Sequence, residues 1–563
     1  MWSGEARREW RGDVDECQCA CRERGAGGLT GRGSRATRGS KMAGFPAKLA
    51  ALGALATALY LATPPDGFAG GPHRLPHEVR AVRSSRVALP DVSGAGVKIV
   101  PATVFIGDDG RIEKIVGEND PDSGPGAGVY SFGDALIAPG VVDAHTHLNE
   151  PGREEWEGFE TGTSAAAAGG ITTVVDMPLN SSPVVTTAEA LRGKQAASTG
   201  KLAVDVAFWG GLVPENAADE AVLGELLDAG VVGLKSFMCP SGIDEFAHTG
   251  AADFEAAAAA LVSRSKPLMA HAEKALEGEA AAEAKAAAAA HAPTSHASWA
   301  LTRPGTMERA AVDELIAVAK KLGSGGAPRI HVAHVADVAA AAAIAAAQAE
   351  GVDITGETCP HYLTFAAEEV PEGATQYKCA PPIRPSETRS ALAQTLRAGG
   401  ALAMVSSDHS PAPADVKAFP GEPGVDGDFT KAWGGIAGLQ MLLPATWTAV
   451  KRVGMEVSDA VRLLSVAPAQ VAGLAARKGS IAVGKDADFV VWDPEGKSVL
   501  CDGSSEPAPG GCTQRNRHKH KLSPYNNLVL DGAVIATIVR GNVVYDGRND
   551  AVSQSRSGRP VLV

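Results

Sequence analysis

The chain is poor in aromatic side chains, 5% of 563 residues, so aliphatic side chains and alanine have to fill its core. It also lacks a basic stripe. Its 52 Lys and Arg stand against 65 Asp and Glu, and the resulting net charge of -13 excludes a nucleic-acid surface, which needs clustered cations. The cysteines have no framework spacing. Cys17, Cys19 and Cys21 crowd the N-terminus without a fourth ligand, and Cys239, Cys359, Cys379, Cys501 and Cys512 are scattered. The uncharged stretch from Leu49 to Thr63, roughly 15 residues, is short for a full membrane span. Nor does a phosphate-cradling glycine loop follow the first strand-like run, which argues against a doubly wound, dinucleotide-binding sheet.

What the N-terminus does have reads as a leader. Residues 1–76 are unlike the rest, with Arg, Gly and Ser at first and then Lys41 and Lys48 ahead of the apolar core 49–63, closed by Pro64 and Pro65. This is the pattern of a signal peptide or short signal anchor, with Met42 as an alternative start. It predicts the endoplasmic reticulum or secretory pathway, and membrane association only through this segment. An amphipathic helix or transit peptide, and hence another organelle or the cytoplasm, is the alternative.

Downstream, apolar runs alternate with helical stretches. The runs are 135–147, 170–178, 202–212, 231–238, 267–273, 329–335, 352–360 and 401–409. Eight strands separated by helices imply parallel pairing, and eight close a (β/α)8 barrel, placed here at 141–470. Residues 77–140 and 471–563 carry alternating strands with Gly and Asp-Gly turns. Neither flank suffices for a sheet, so the two are expected to form one small β-sandwich. The fold class is α/β. Residues 501–520 read as a surface loop with His518 and His520 solvated.

The first run, VVDAHTHLNEPGR, ends on two histidines. Side chains alternate along a strand, so His145 and His147 point the same way, at the barrel end where active sites are built. Such a pair alone is equally compatible with two ordinary polar histidines. However, His271, His334 and Asp408 end strands five, six and eight, and Lys235 interrupts apolar strand four. Lys235 has a bland reading as an ion-paired or snorkelling cation. In the sharper one it is a neutral amine that takes up CO2 and becomes an N6-carboxylysine bridging two metals. Neutral imidazoles and a carboxylate suit Zn2+. Two ions would activate a water, with Asp408 as general base.

At DAHTHLNEPGR, GLKSFMCPSGIDEF, LMAHAE, HVAHV, ETCPHYL, KCAPPIR, SSDHSP and AWGGIAGLQ the chain resembles the cyclic amidohydrolases of the amidohydrolase superfamily, and among them the allantoinase group. The resemblance spans about residues 79–550. It implies a barrel with a β-sandwich, a homotetramer, and two divalent metal ions per chain. His145, His147, carboxylated Lys235 and Asp408 would hold one ion, and Lys235, His271 and His334 the other. The reaction implied is hydrolysis of allantoin to allantoate in purine breakdown.

The dihydroorotase pattern has an arginine where this chain has Asn149, and a neutral amide suits an uncharged ureide better than a carboxylate. Hydantoinases and dihydropyrimidinases are nearer, but differ around CPSGIDEF. A metal-free scaffold relative would have lost ligands that are present here. Asn149, Ser241, Gly242, Cys359, Pro381 and Ser410 are expected on the substrate side, and Asp244 in the loop that shapes it. Cys359 and Cys379 can equally be packing residues. Asn180 heads a glycosylation sequon, Asn-Ser-Ser, expected to stay unmodified.

Overall fold

The computed structural model describes residues 75–563 except 92–93, 95, 125–127, 421–426 and 504–510. The leader expected over residues 1–76 therefore lies outside the described residues except at its last two positions. There Leu75 is buried and its N–H donates to Asp546 of the terminal sheet at 3.1 Å. No helix of the described residues is long and apolar enough to cross a membrane.

Eight short parallel strands form a barrel. In order they are Val141–Thr146, Ile171–Asp176, Asp205–Phe208 continued by Gly210–Gly211, Leu234–Phe237, Leu268–His271, Ile330–Val332, Ile354–Thr358 and Leu402–Val405. Each pairs with the next. A parallel bridge between Thr146 and His409, with the His147 N–H donating to the His409 carbonyl at 2.8 Å, closes the last strand onto the first. Parallel strands covered on both faces are almost entirely buried, which is why they read as largely apolar runs.

The covering helices include Phe159–Ala168, Ala188–Ser198, Glu220–Asp228, Ala251–Val262, Gly305–Leu322, Val338–Ala349 and Ser386–Ala398. Several have a clear local cause. Val338–Ala349 is almost all alanine, the best helix former. Its N-terminus is fixed by the Asp337 carboxylate, which accepts from the Ala339 and Ala340 N–H groups at 2.8 and 3.2 Å. Thr187 and Asp219 cap two other helices in the same way.

One expected strand is two. The run 135–147 breaks at Gly140, so that Leu136–Pro139 belongs to a different sheet from Val141–Thr146. The cause is close approach, because a Cβ at Gly140 would sit 2.1 Å from the Thr172 hydroxyl.

The two chain ends share a ten-stranded sheet. Leu136–Pro139 pairs antiparallel with Phe489–Cys501 and joins the N-terminal strands Ala81–Pro90, Val97–Ile106 and Ile112–Gly117 to the C-terminal strands Val529–Val539, Asn542–Asp546 and Ala551–Val552. The two wings enclose one core that includes Val82, Val104, Phe132, Phe489, Val491 and Ile538. Cys501 and Cys512, which sequence spacing leaves unassigned, form a disulfide beside the short strand Gln514–Arg515.

Barrel and terminal sheet are tied by a buried ionic knot. The Lys478 ammonium, 1% exposed, donates to Asp205 of the third barrel strand at 2.5 Å and to Asp488, at the start of the terminal sheet, at 2.6 Å. Asp486 lies 2.9 Å away, and Arg540 also donates to Asp205. The three carboxylates lie close enough to bind a cation, but these two side chains already supply the positive charge. Removing one partner of such a group strands the others in a dry environment. Lys478→Met is therefore expected to destabilise the protein by about 3–5 kcal/mol. A thermal unfolding midpoint equal to that of the native chain would refute this.

Candidate active site

The residues that end the barrel strands converge on a cavity of about 90 Å³ at the barrel mouth. His145, His147, His271, His334 and Asp408 line it together with Phe237, Asn180, Ser241, Ser410 and Trp433. A larger surface groove, about 830 Å³, runs past the Cys501–Cys512 disulfide, but no histidine lines it. The smaller cavity is where titratable groups meet.

Asp408 is its hub. One carboxylate oxygen lies 3.2 Å from His145 Nε2 and 3.6 Å from His147 Nε2, and the Ser410 hydroxyl donates to the same oxygen at 3.2 Å. Burial alone would raise the Asp408 carboxyl, but His145, His147 and His334 outweigh it and hold it well below the usual carboxylate range. Asp408 and His334 both have positive φ, 42° and 39°. Few non-glycine residues adopt this backbone conformation, and those that do cluster at functional sites.

Three of the four histidines are aimed by a second group. His145 Nδ1 faces the Glu357 carboxylate at 2.5 Å, leaving Nε2 toward Asp408. Burial would raise Glu357, and the beside-lying His145 and His331 instead hold it low. His147 Nδ1 meets the Leu179 carbonyl at 3.0 Å. His271 Nε2 faces Glu273 at 2.8 Å, and Arg303 clamps that carboxylate from the far side at 2.6 and 3.0 Å. Burial would lower the His271 imidazole, but Cys239 and Glu273 outweigh burial and raise it to about 9. The His271 ring stacks on Phe237, centroids 4.5 Å apart, and meets His334 edge-on at 4.5 Å. Burial, then His271 and Lys235, push His334 well below its usual range, and its Nδ1 has no hydrogen-bond partner among the described residues.

Lys235 sits beneath this cluster, 0% exposed, on the fourth strand. Its amine has no hydrogen-bond partner among the described residues, and the Phe237 ring lies 5.4 Å away. Burial pushes it down to about 8, against the opposing pull of Glu357 and Asp408.

The substrate-side expectations divide. Ser241 and Ser410 line the cavity, while Asn149, Gly242, Cys359 and Pro381 do not. Asn149 is fully buried, and its amide oxygen accepts from Asn180 Nδ2 at 3.2 Å, so Asn180 and not Asn149 faces the cavity. Gly242 lies behind Trp433, where a Cβ would come 3.2 Å from the indole. The Pro381 carbonyl accepts from the Tyr362 hydroxyl at 2.7 Å, and its neighbour Ala380 takes the lining position. Cys359 is buried, with its thiol pushed well above the usual range, and packs with Cys379 in the core. Asp244 is exposed.

His518 corrects the sequence reading. It is buried, its ring lies 4.7 Å from that of His409, and its Nε2 accepts from the Gln440 N–H at 3.3 Å. The loop turns inward because Glu157, itself buried, accepts from the Lys519 N–H. Only His520 remains outside.

Sequence reasoning missed Trp433, Phe237 and Asn180, and the supporting carboxylates Glu357 and Glu273. Glu273 was findable, since it lies two residues past His271, on the same face of an extended chain. The sequon at Asn180 is closed, because Asn180 is 5% exposed and its amide is hydrogen-bonded to Asn149. Chain expressed through a secretory route is expected to carry an unmodified Asn180. A glycan mass on that residue in folded, active protein would overturn the geometry.

Residues 136–544 match the model of the Amidohydrolase family. A probable allantoinase of Oryza sativa subsp. japonica is 43% identical over 77% of this chain and 82% of its own length. An allantoinase of Arabidopsis thaliana is 41% identical over 84% of this chain and 89% of its own. Among solved structures, an L-hydantoinase (dihydropyrimidinase) from Arthrobacter aurescens is similar with a TM-score of 0.74 at 27% identity, over 86% of this chain and 100% of that one. Barrel, strand-end cluster and a match over most of the sequence agree, and the chain belongs to the amidohydrolase family.

Proposed function

We propose that this chain is an allantoinase, which hydrolyses a C–N bond in the hydantoin ring of allantoin to give allantoate, in purine (urate) breakdown and nitrogen recovery. The observation that carries the reading is the Lys235 amine, buried with no hydrogen-bond partner among the described residues and close enough to His145, His334, Glu357 and Asp408 to interact electrostatically with them. An ammonium there is expensive, and burial accordingly shifts the group toward the free amine. A free amine adds CO2, sheds a proton and becomes an anionic carbamate.

The donor set fits two divalent ions. His145, His147, Asp408 and carboxylated Lys235 would hold one, and carboxylated Lys235, His271 and His334 the other. The imidazole and carboxylate donors suit Zn2+. The orphaned His334 Nδ1 supports this, as does the pull toward a cation that the surroundings of His271 exert. When bound, such ions lower the pKa of water and polarise a carbonyl oxygen.

The chain's own residues do the rest. Asp408 accepts the proton of the attacking water, whose oxygen bonds to the ring carbonyl carbon. As the C–N bond breaks, Asp408 returns that proton to the leaving nitrogen. Phe237 and Trp433 exclude bulk water, and Asn180, Ser241 and Ser410 offer polar contacts to an uncharged ureide. Allantoinase is favoured over hydantoinase because the relatives at 41–43% identity carry that name, against 27% for the hydantoinase. The structural likeness to an L-hydantoinase makes simple hydantoins and dihydropyrimidines the second reading. The resemblance supports a homotetramer. The N-terminal pattern supports the secretory pathway, where a Cys501–Cys512 disulfide would persist.

The test is turnover of allantoin, hydantoin, dihydrouracil and dihydroorotate by the full chain, with metal content measured on the same sample. Allantoin turnover with two ions per chain is expected. Metal with turnover of another ring alone moves the substrate, and a native chain that binds no metal in the presence of zinc and bicarbonate defeats the reading. Lys235→Ala is expected to lose both metal and activity, with partial recovery in short-chain carboxylic acids. Full metal content in that variant would remove the bridging role. Asp408→Asn is expected to lower kcat about 100- to 10,000-fold, and a near-native rate would exclude it as the base.

A further inference from the structure

Two lysines behind the cavity have no role in the chemistry above. Lys378 and Lys417 are 4% and 2% exposed. Each donates only to main-chain carbonyls. Lys417 Nζ reaches Gly435 at 2.7 Å, Trp433 at 2.9 Å and Lys378 at 3.4 Å, which uses all three of its protons. Lys378 Nζ donates to Ala432 at 2.5 Å and sits 4.0 Å from the centroid of the Trp299 ring, whose own N–H donates to the Cys379 carbonyl at 2.9 Å. The Gly435 N–H closes the circuit on the Lys378 carbonyl at 2.8 Å.

The segment they grip forms part of the cavity wall. Trp433, Gly434, Gly435 and Ala380 all line the cavity. Glycine is required there, because Gly435 has a φ of 152° and a Cβ on it would come 2.2 Å from the Ser410 carbonyl. Two consecutive glycines, however, have no side chains with which to hold their own conformation. Buried ammonium groups are a poor way to gain stability, since apolar residues of the same volume do as well or better. Burial pushes both lysines down to about 7, the Lys378 charge adding to the effect on Lys417 and the Arg303 charge to that on Lys378. What the pair supplies is geometry, with four carbonyls of two loops drawn onto two nitrogens.

We infer that Lys378 and Lys417 form a two-lysine latch that fixes the Trp433–Gly435 wall and so sets how well the cyclic substrate is gripped. They are positioning residues, acting through main chain that faces the cavity. The choice of a cyclic amide as substrate rests on the function proposed above, whereas the order of the wall does not.

The experiment pairs hydrogen–deuterium exchange with steady-state kinetics on full-length, metal-loaded Lys417→Met, and on Lys378→Met as an independent break of the same latch. Exchange in peptides covering 432–436 is expected to speed up about tenfold or more, with the barrel strands unchanged. KM for the native substrate is expected to rise about tenfold, with kcat within about threefold and metal content unchanged. Unchanged exchange at 432–436 in both variants overturns the latch. So does faster exchange throughout the barrel with kcat and metal lost together, which marks a merely structural role. If the native chain opens no cyclic amide, the proposed function fails by that result, and the exchange data alone decide the latch.

Discussion

An unpartnered lysine amine enclosed in a barrel is the constraint around which the mouth of this molecule is arranged. Lys235 lies on the fourth strand between Leu234 and Ser236, and among the described residues its amine has no hydrogen-bond partner. Every charged group nearby answers to that enclosure. Asp408 and Glu357 oppose the effect of burial on the amine, while burial shifts His145 and His334 toward the neutral imidazole. At these two residues a neutral imidazole facing an anionic carboxylate is the protonation state that cation binding needs, whereas Cys239 and Glu273 pull His271 the other way. The site is thus poised by its own burial.

A second layer holds this arrangement in place. Glu357 fixes which His145 nitrogen faces inward, and the Leu179 carbonyl does the same for His147. Glu273, clamped by Arg303, does so for His271. Glu357 and Leu179 lie far along the chain from the rings they orient, so those orientations are enforced by the barrel, whereas Glu273 is local to His271 and is itself held by the distant Arg303. The same holds on the opposite wall, where main-chain carbonyls converge on Lys378 and Lys417.

Legibility in the sequence followed the range of the interactions. Eight barrel strands are readable because strands buried on both faces are mostly apolar, and the four histidines, Lys235 and Asp408 stand out as polar residues ending or interrupting those runs. Gly140 was not readable as a break, because its reason is a contact with Thr172, thirty-two positions away. Asn149 was placed on the substrate side from a neighbouring motif, yet the fold puts Asn180 in front of it. Trp433 sat inside a quoted motif without a role, since only the return of its loop past Val416 and Gly242 brings it over the cavity. His518 looked solvated because its loop is polar, and it is buried because Glu157 draws that loop inward.

The seam between the first and last barrel strands has a consequence for how the chain comes to fold. His145 and His147 stand on one side of it and Asp408 on the other. Asp143 accepts from the Ser407 N–H at 3.0 Å across a sequence separation of 264 residues. The length-dependent part of closing so long a loop costs about 5 kcal/mol, and no local element can offset it early. The histidine pair and its carboxylate therefore meet only when the whole circuit of strands is in place, late on the ribosome or after release. A cation captured there would be the final staple on a finished ring, and its retention would report that the ring had closed.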